Sequence, residues 1–101
     1  MKQLKIKDIF KDEVCIGGKA NGRFLSNEVE IELARGPVTI DFAGIDLITQ
    51  SFSDEFLGPI VENQGSRVFD ILHFKNCSSE IQVILTSTAR RFWVDLPAIS
   101  H

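Results

Sequence analysis

The densest run of hydroxyl, amide and carboxylate side chains in the sequence is Thr49-Gln50-Ser51-Phe52-Ser53-Asp54-Glu55. It follows the largely apolar stretch Val38 to Ile48, in which Val38-Thr39-Ile40-Asp41-Phe42 reads as a strand with Val38, Ile40 and Phe42 on one face. A strand that ends near Asp41, a turn and a polar helix start would gather hydroxyls and backbone amides at the positive end of a helix dipole. Thr49, Ser51 and Ser53 could hold an anion or a phosphate there. On the residues alone helix capping is the leading reading, because Ser51-x-x-Asp54 matches the loose capping-box pattern.

Other reactive groups are sparse. Gly17-Gly18 stands alone and lacks the further glycines and the Lys-Ser/Thr of a phosphate loop. His73 falls in an apolar run, where a core or sheet-face role is expected, and His101 is terminal, so the two make neither a metal pair nor a base. Cys77 has Lys75 close by and precedes a helix, which could lower its pKa, although a small buried filler is the simpler reading. With Cys15 it makes too few cysteines for a disulfide framework or a zinc cluster. No nucleophile and base fall on neighbouring elements. The expectation is a protein with no catalytic residue, metal or cofactor, and not an enzyme.

The elements that must position the polar run are read from hydrophobic spacing. Residues 4–10 alternate and predict a first strand; Val14-Cys15-Ile16 predicts a second, paired with it as a hairpin. Residues 19–34 carry Ala20, Phe24, Leu25, Val29 and Leu33 near helical spacing, and Gly36-Pro37 stops that helix. Phe52, Phe56, Leu57, Ile60 and Val61 form the stripe of a second helix, which Pro59 is expected to kink and Asn63-Gln64-Gly65 to close. Val68 to Phe74 suits a buried central strand. Asn76-Cys77-Ser78-Ser79 supplies caps for a last helix with the stripe Ile81, Ile84, Leu85, Ala89 and Phe92, and Arg90 and Arg91 complement its dipole. The order β-β-α-β-α-β-α predicts a two-layer α/β domain over residues 1–101, with a roughly four-stranded mixed sheet and three main helices.

Composition bounds the class. The chain has 101 residues, 44% of them hydrophobic and 25% charged, which suits one globular domain. A net charge of −3 argues against coating nucleic acid. No apolar run approaches the roughly 20 residues of a membrane span, and Met-Lys-Gln-Leu-Lys-Ile-Lys is no signal peptide. A cytoplasmic protein is expected.

The segment Asp41-Phe42-Ala43-Gly44-Ile45, followed by Ser51-Phe52-Ser53-Asp54-Glu55, resembles the STAS-like domains of bacteria, a branch of unassigned function related to the anti-sigma-factor antagonists. The resemblance runs upstream through Gly22-Arg23-Phe24-Leu25 and downstream to the strand ending at Asn76 and the helix reaching Arg91. It implies regulation by protein contact. In the antagonist relatives a Ser at this helix start is phosphorylated by an ATPase-fold kinase, and chains resembling the branch are linked to histidine-kinase-like ATPase domains. The antagonists' Asp-Ser-Ser/Thr-Gly falls on Thr49-Gln50-Ser51-Phe52, so Gln50 stands at the phosphorylated position and Ser51 is the nearest candidate.

A phosphate on Ser51 would suit the helix dipole but be repelled by Asp54 and Glu55. A permanently charged, unphosphorylated helix start is therefore expected. Taken together, the leading reading is a regulatory module with a partner-binding patch of Gln50, Ser51, Ser53, Asp54 and Glu55. Its partner would be a histidine-kinase-like ATPase or kinase, and Asp54→Lys would abolish the contact with folding nearly intact. The alternative is a small-ligand or nucleotide sensor that binds an anion at residues 49–53. The apolar tail 93–101, with Trp93, either completes the core or serves as an interface anchor that would support a homodimer.

Overall fold

The computed structural model describes residues 2–92. The tail 93–101, its suggested anchoring or dimer role, and His101 lie outside the described residues. The elements run β1 (Lys2–Lys5), α1 (Ile6–Ile9), β2 (Cys15–Ile16), α2 (Lys19–Leu33), β3 (Val38–Asp41), β4 (Leu47–Ile48) and α3 (Gln50–Gln64). A 3-10 turn (Gly65–Arg67), α4 (Val68–Ile71), β5 (Leu72–Lys75) and α5 (Ser79–Phe92) complete them.

The α/β class holds, but the sheet differs from the mixed four-stranded one expected. Among the described residues there are two sheets, one of three strands in the order β1-β3-β5 and one of two, β2-β4, and every pairing is parallel. The predicted hairpin is absent because the first apolar run is not one strand. Only Lys2–Lys5 is extended; Ile6 to Ile9 turns helically, which buries Ile6 completely and seats Ile9 and Phe10 against the core. The chain then reverses through Lys11 and Asp12, both at positive φ, so β2 leaves β1 and pairs with β4. The stretch after β3 supplies that partner through Leu47 and Ile48.

β3 is the central strand. Its residues stand in register as Leu4–Ile40–Phe74 toward the helices and as Gln3–Thr39–His73 and Lys5–Asp41–Lys75 on the opposite face. Val38, Ile40 and Phe42 have no exposure, as their alternation predicts. The run Val68 to Phe74 is not a central strand: its first half is the turn of helix α4, with Phe69 exposed, and only Leu72–Lys75 is extended, at the sheet edge. β-branched and aromatic residues suit either state in so short a run, and tertiary packing decided it.

α3 packs between α2 and α5. Its predicted stripe of Phe52, Phe56, Leu57, Ile60 and Val61 is wholly buried, and the helix continues through Pro59 to a Gly65 cap at φ 60°. α2 buries Leu25, Val29 and Leu33 as expected, whereas Phe24 is half exposed with its ring edge-on to Phe10. Ser78 caps α5: its Oγ accepts from the Ile81 amide at 3.1 Å.

Candidate functional site

The start of α3 is built around Thr49, not Ser51. Thr49 is the N-cap residue, and its hydroxyl accepts from the Phe52 amide at 3.2 Å. The same oxygen accepts from the Gly18 amide at 3.3 Å, where α2 begins. The β2–β4 pairing brings these two helix starts side by side, and one hydroxyl serves both. Gly17 permits the approach, since a Cβ there would stand 2.8 Å from Thr49 Cγ2. Ser51 lies inside the first turn, its hydroxyl 3.2 Å from that of Thr49. Three neighbours thus converge on the one Thr49 hydroxyl.

One turn further, α3 is fastened to α5 by a polar cluster. Ser53 and Thr88 are both without exposure, and their hydroxyls lie 2.6 Å apart. Thr88 gives its only proton to Asp54 Oδ1 at 2.8 Å, so Ser53 is the donor in the hydroxyl pair. Gln50 Nε2 donates to Thr88 Oγ1 and to Asp54 Oδ1, each at 3.0 Å, and the Arg91 guanidinium pairs with the same carboxylate oxygen. Burial works against the charge on Asp54, but the hydrogen bonds from Arg91, Gln50 and Thr88 outweigh it and hold the carboxyl below its ordinary pKa.

On its other side α3 meets α2 at backbone distance. A Cβ on Gly22 would lie 2.5 Å from the Phe52 carbonyl oxygen and 2.8 Å from Glu55 Cβ, so only glycine fits. The next residue, Arg23, donates from Nε to Glu55 Oε1 at 2.8 Å. This pair is largely solvated, which limits its worth to about 0–1 kcal/mol.

A third polar group closes the carboxyl end of the larger sheet. Asp41 is buried, and its Oδ1 accepts from Asn76 Nδ2 at 2.8 Å and from the Ala43 amide at 2.9 Å. The Asn76 bond, the Ala43 amide and the charges of Lys75 and Lys5 lower its pKa against the cost of burial. Cys77, beyond Asn76, goes the opposite way from the lowering suggested by its sequence neighbours. Burial and the negative charge of Asp41 push its thiol up.

Residues 21–82, more than half of the chain, match the family model described as STAS-like domain of unknown function (DUF4325). The chain belongs to this family of STAS-like domains. Comparison with curated proteins and with solved structures gave no match.

The geometry explains what the matched motifs do in this STAS-like domain. Gly22-Arg23 and Phe52-x-x-Glu55, far apart in sequence, meet across the α2–α3 contact, and Asp41 joins the Asp-Phe-x-Gly turn to Asn76. Ser53 faces inward, and Gln50 and Asp54 are bound to α5. Ser51, Asp54 and Glu55 keep partial exposure on the strip of α3 between its neighbours. Thr88 was not singled out by sequence reasoning. The signal was present, since Thr88 interrupts the apolar stripe of α5 between Leu85 and Phe92, where a polar residue must find a partner.

Among the described residues no group of His, Cys, Asp or Glu is arranged to hold a metal ion, and no helix is long and apolar enough to cross a membrane.

Proposed function

We propose that this STAS-like domain is a non-enzymatic regulatory module that docks on a protein partner through the start of α3. The observation that carries the reading is the strip of α3 left open between α2 and α5. It presents Ser51, Asp54 and Glu55, with the two carboxylates held in place by Arg91 and Arg23. Side chains fixed beforehand lose less entropy on binding. α3 carries Asp54, Glu55 and Glu62 and no basic residue, so a partner with a basic surface fits it. The partner class, a histidine-kinase-like ATPase or kinase, rests on the likeness of such domains to anti-sigma-factor antagonists. Gln50 keeps partial exposure at the edge of the strip and is tied to Thr88 and Asp54, while the buried Ser53 supports the strip from behind.

The alternative, an anion held at residues 49–53, is less favoured. Of the three hydroxyls, Thr49 already serves two backbone donors, Ser53 is buried, and that of Ser51 lies against Thr49.

The test is titration calorimetry of the full chain against a histidine-kinase-like ATPase from the same source, with Ser51→Arg as the blocking variant. Saturable binding that Ser51→Arg abolishes, with its unfolding midpoint unchanged, supports the docking strip. Undiminished binding by the variant moves the interface elsewhere, and absence of binding by the native chain removes this partner class. Intact-mass measurement of protein from source cells is expected to find no phosphate on Ser51.

A further inference from the structure

The face of the three-stranded sheet that bears Lys5, Asp41 and Lys75 carries charge that the docking strip does not use. Lys5 and Lys75 stand in register on either side of Asp41, at the carboxyl ends of the strands, with their Cα atoms ~10 Å apart across two strand spacings. Both are exposed, and both contribute to the lowered pKa of Asp41, which places their charges over the same end of the sheet. Lys7 reaches this end from α1. Its chain lies across Gly44, where a Cβ would meet Lys7 Cδ at 2.8 Å and Nζ at 3.3 Å. Among the described residues none of the three ammonium groups has an ion-pair or side-chain hydrogen-bond partner.

The turn beneath them offers a further donor. Ile45 N–H donates to Phe42 C=O at 2.9 Å, and Gly44, at φ 82°, is the third residue of that turn. The Ala43 amide is taken by Asp41, but the exposed Gly44 amide has no partner among the described residues. The carboxylate of Asp41 receives two N–H donors on one oxygen and neutralises one cation of three. A local positive excess therefore sits on a chain whose net charge is −3.

We propose that the carboxyl end of the parallel sheet is a phosphate-binding site, in which Lys5, Lys7, Lys75 and the Gly44 amide receive the oxygens of a phosphate group. Uncommitted ammonium groups and a free amide match a compact dianion with three acceptor oxygens. The location agrees with the tendency of α/β sheets to bind ligands outside the carboxyl ends of their strands. The site is distinct from the start of α3 and does not depend on any protein partner.

The experiment is a titration of the uniformly ¹⁵N-labelled full chain at constant ionic strength, followed by amide chemical shifts. One arm uses inorganic phosphate, a second AMP as a phosphomonoester, and sodium acetate and sodium chloride serve as controls. Saturable shifts of Gly44 and the flanking amides of Ala43 and Asn76, from phosphate or AMP but not from the controls, are expected. Phosphate alone would identify a free-ion site, and AMP alone a site for an organic phosphate. The double substitution Lys5→Gln, Lys75→Gln is expected to weaken binding roughly tenfold or more, with the other amides unmoved. Shifts that fail to saturate, that chloride reproduces, that survive the double substitution, or that centre on Gly18 and Ser51 would each overturn the proposal.

Discussion

The α-carbon of Gly22 and the carbonyl oxygen of Phe52 are in such close contact that a side chain on Gly22 would stand 2.5 Å from that oxygen. Two helices are thereby pressed together at the level of the backbone, beside the Arg23–Glu55 pair. Gly22→Ala is expected to cost ~1–3 kcal/mol of stability, because a backbone carbonyl oxygen in the first turn of a helix cannot swing aside as a flexible side chain can. Urea unfolding of the variant checks this. A loss under half that range would mean that α2 shifts outward freely.

Phe52 carries the start of α3 onto the core. Its ring is without exposure and lies 5.9 Å from Phe10 and 5.8 Å from Phe56 between ring centres. Phe52→Ala should destabilise by ~3–5 kcal/mol, measured as a drop in the urea midpoint at unchanged slope.

Asp54 is revised from a simple surface residue. Asp54→Lys would remove the acceptor shared by Gln50, Thr88 and Arg91 and set a second cation beside Arg91. Loss of stability is expected together with any loss of partner binding, so this variant cannot separate the two. Thr88→Val, which keeps the shape and deletes the hydroxyl, is expected to cost ~1–3 kcal/mol by stranding Ser53 and Gln50.

Asp41 and Asp54 also set the acid limit of the fold. Both have pKa values lowered from 3.8 in the folded state. The unfolded chain therefore binds their protons first as pH falls. Their contribution is full above 3.8 and is lost as pH drops through the folded values. Denaturant unfolding from pH 7 to pH 3 should show stability falling below about pH 4, and Asp41→Asn should flatten part of that fall.

The two thiols should differ in reactivity. Cys15 is exposed, whereas burial and Asp41 raise the Cys77 thiol above its ordinary 9.0. Iodoacetamide at neutral pH is expected to label Cys15 first, with Cys77 following slowly, because the thiolate is the nucleophile. Peptide mapping at early times reads the order directly.

The long helices were legible because their spacing is unambiguous over several turns. The stripe from Phe52 to Val61 buried as read, and Gly65 ended α3. The short elements were not legible. Ile6-Lys7-Asp8-Ile9 fits either alternation or a single helical turn, and the two-residue strands β2 and β4 carry no periodicity at all. Around the candidate site, Ser51-x-x-Asp54 has the right letters for a capping box, yet Thr49 caps the helix. Gly18 supplies a second donor to the Thr49 hydroxyl from thirty-one residues away, a proximity that no local pattern encodes. Likewise the Asp54 carboxylate, still partly exposed, is tied sideways to Thr88 and Arg91 of α5, thirty-four and thirty-seven residues away.

That every strand among the described residues pairs in parallel has a consequence for how the chain acquires its shape. Lys2 lies opposite Val38 and Thr39 opposite His73, so no strand can find its neighbour through a short turn. Each pairing closes a loop that holds an entire helix, and the entropy of closure precedes the reward of the ladder. During synthesis the first strand stays without its partner until β3 has emerged from the ribosome. The lysines on β1, at Lys2 and Lys5, keep that waiting edge charged and so discourage it from pairing with another chain in the interval.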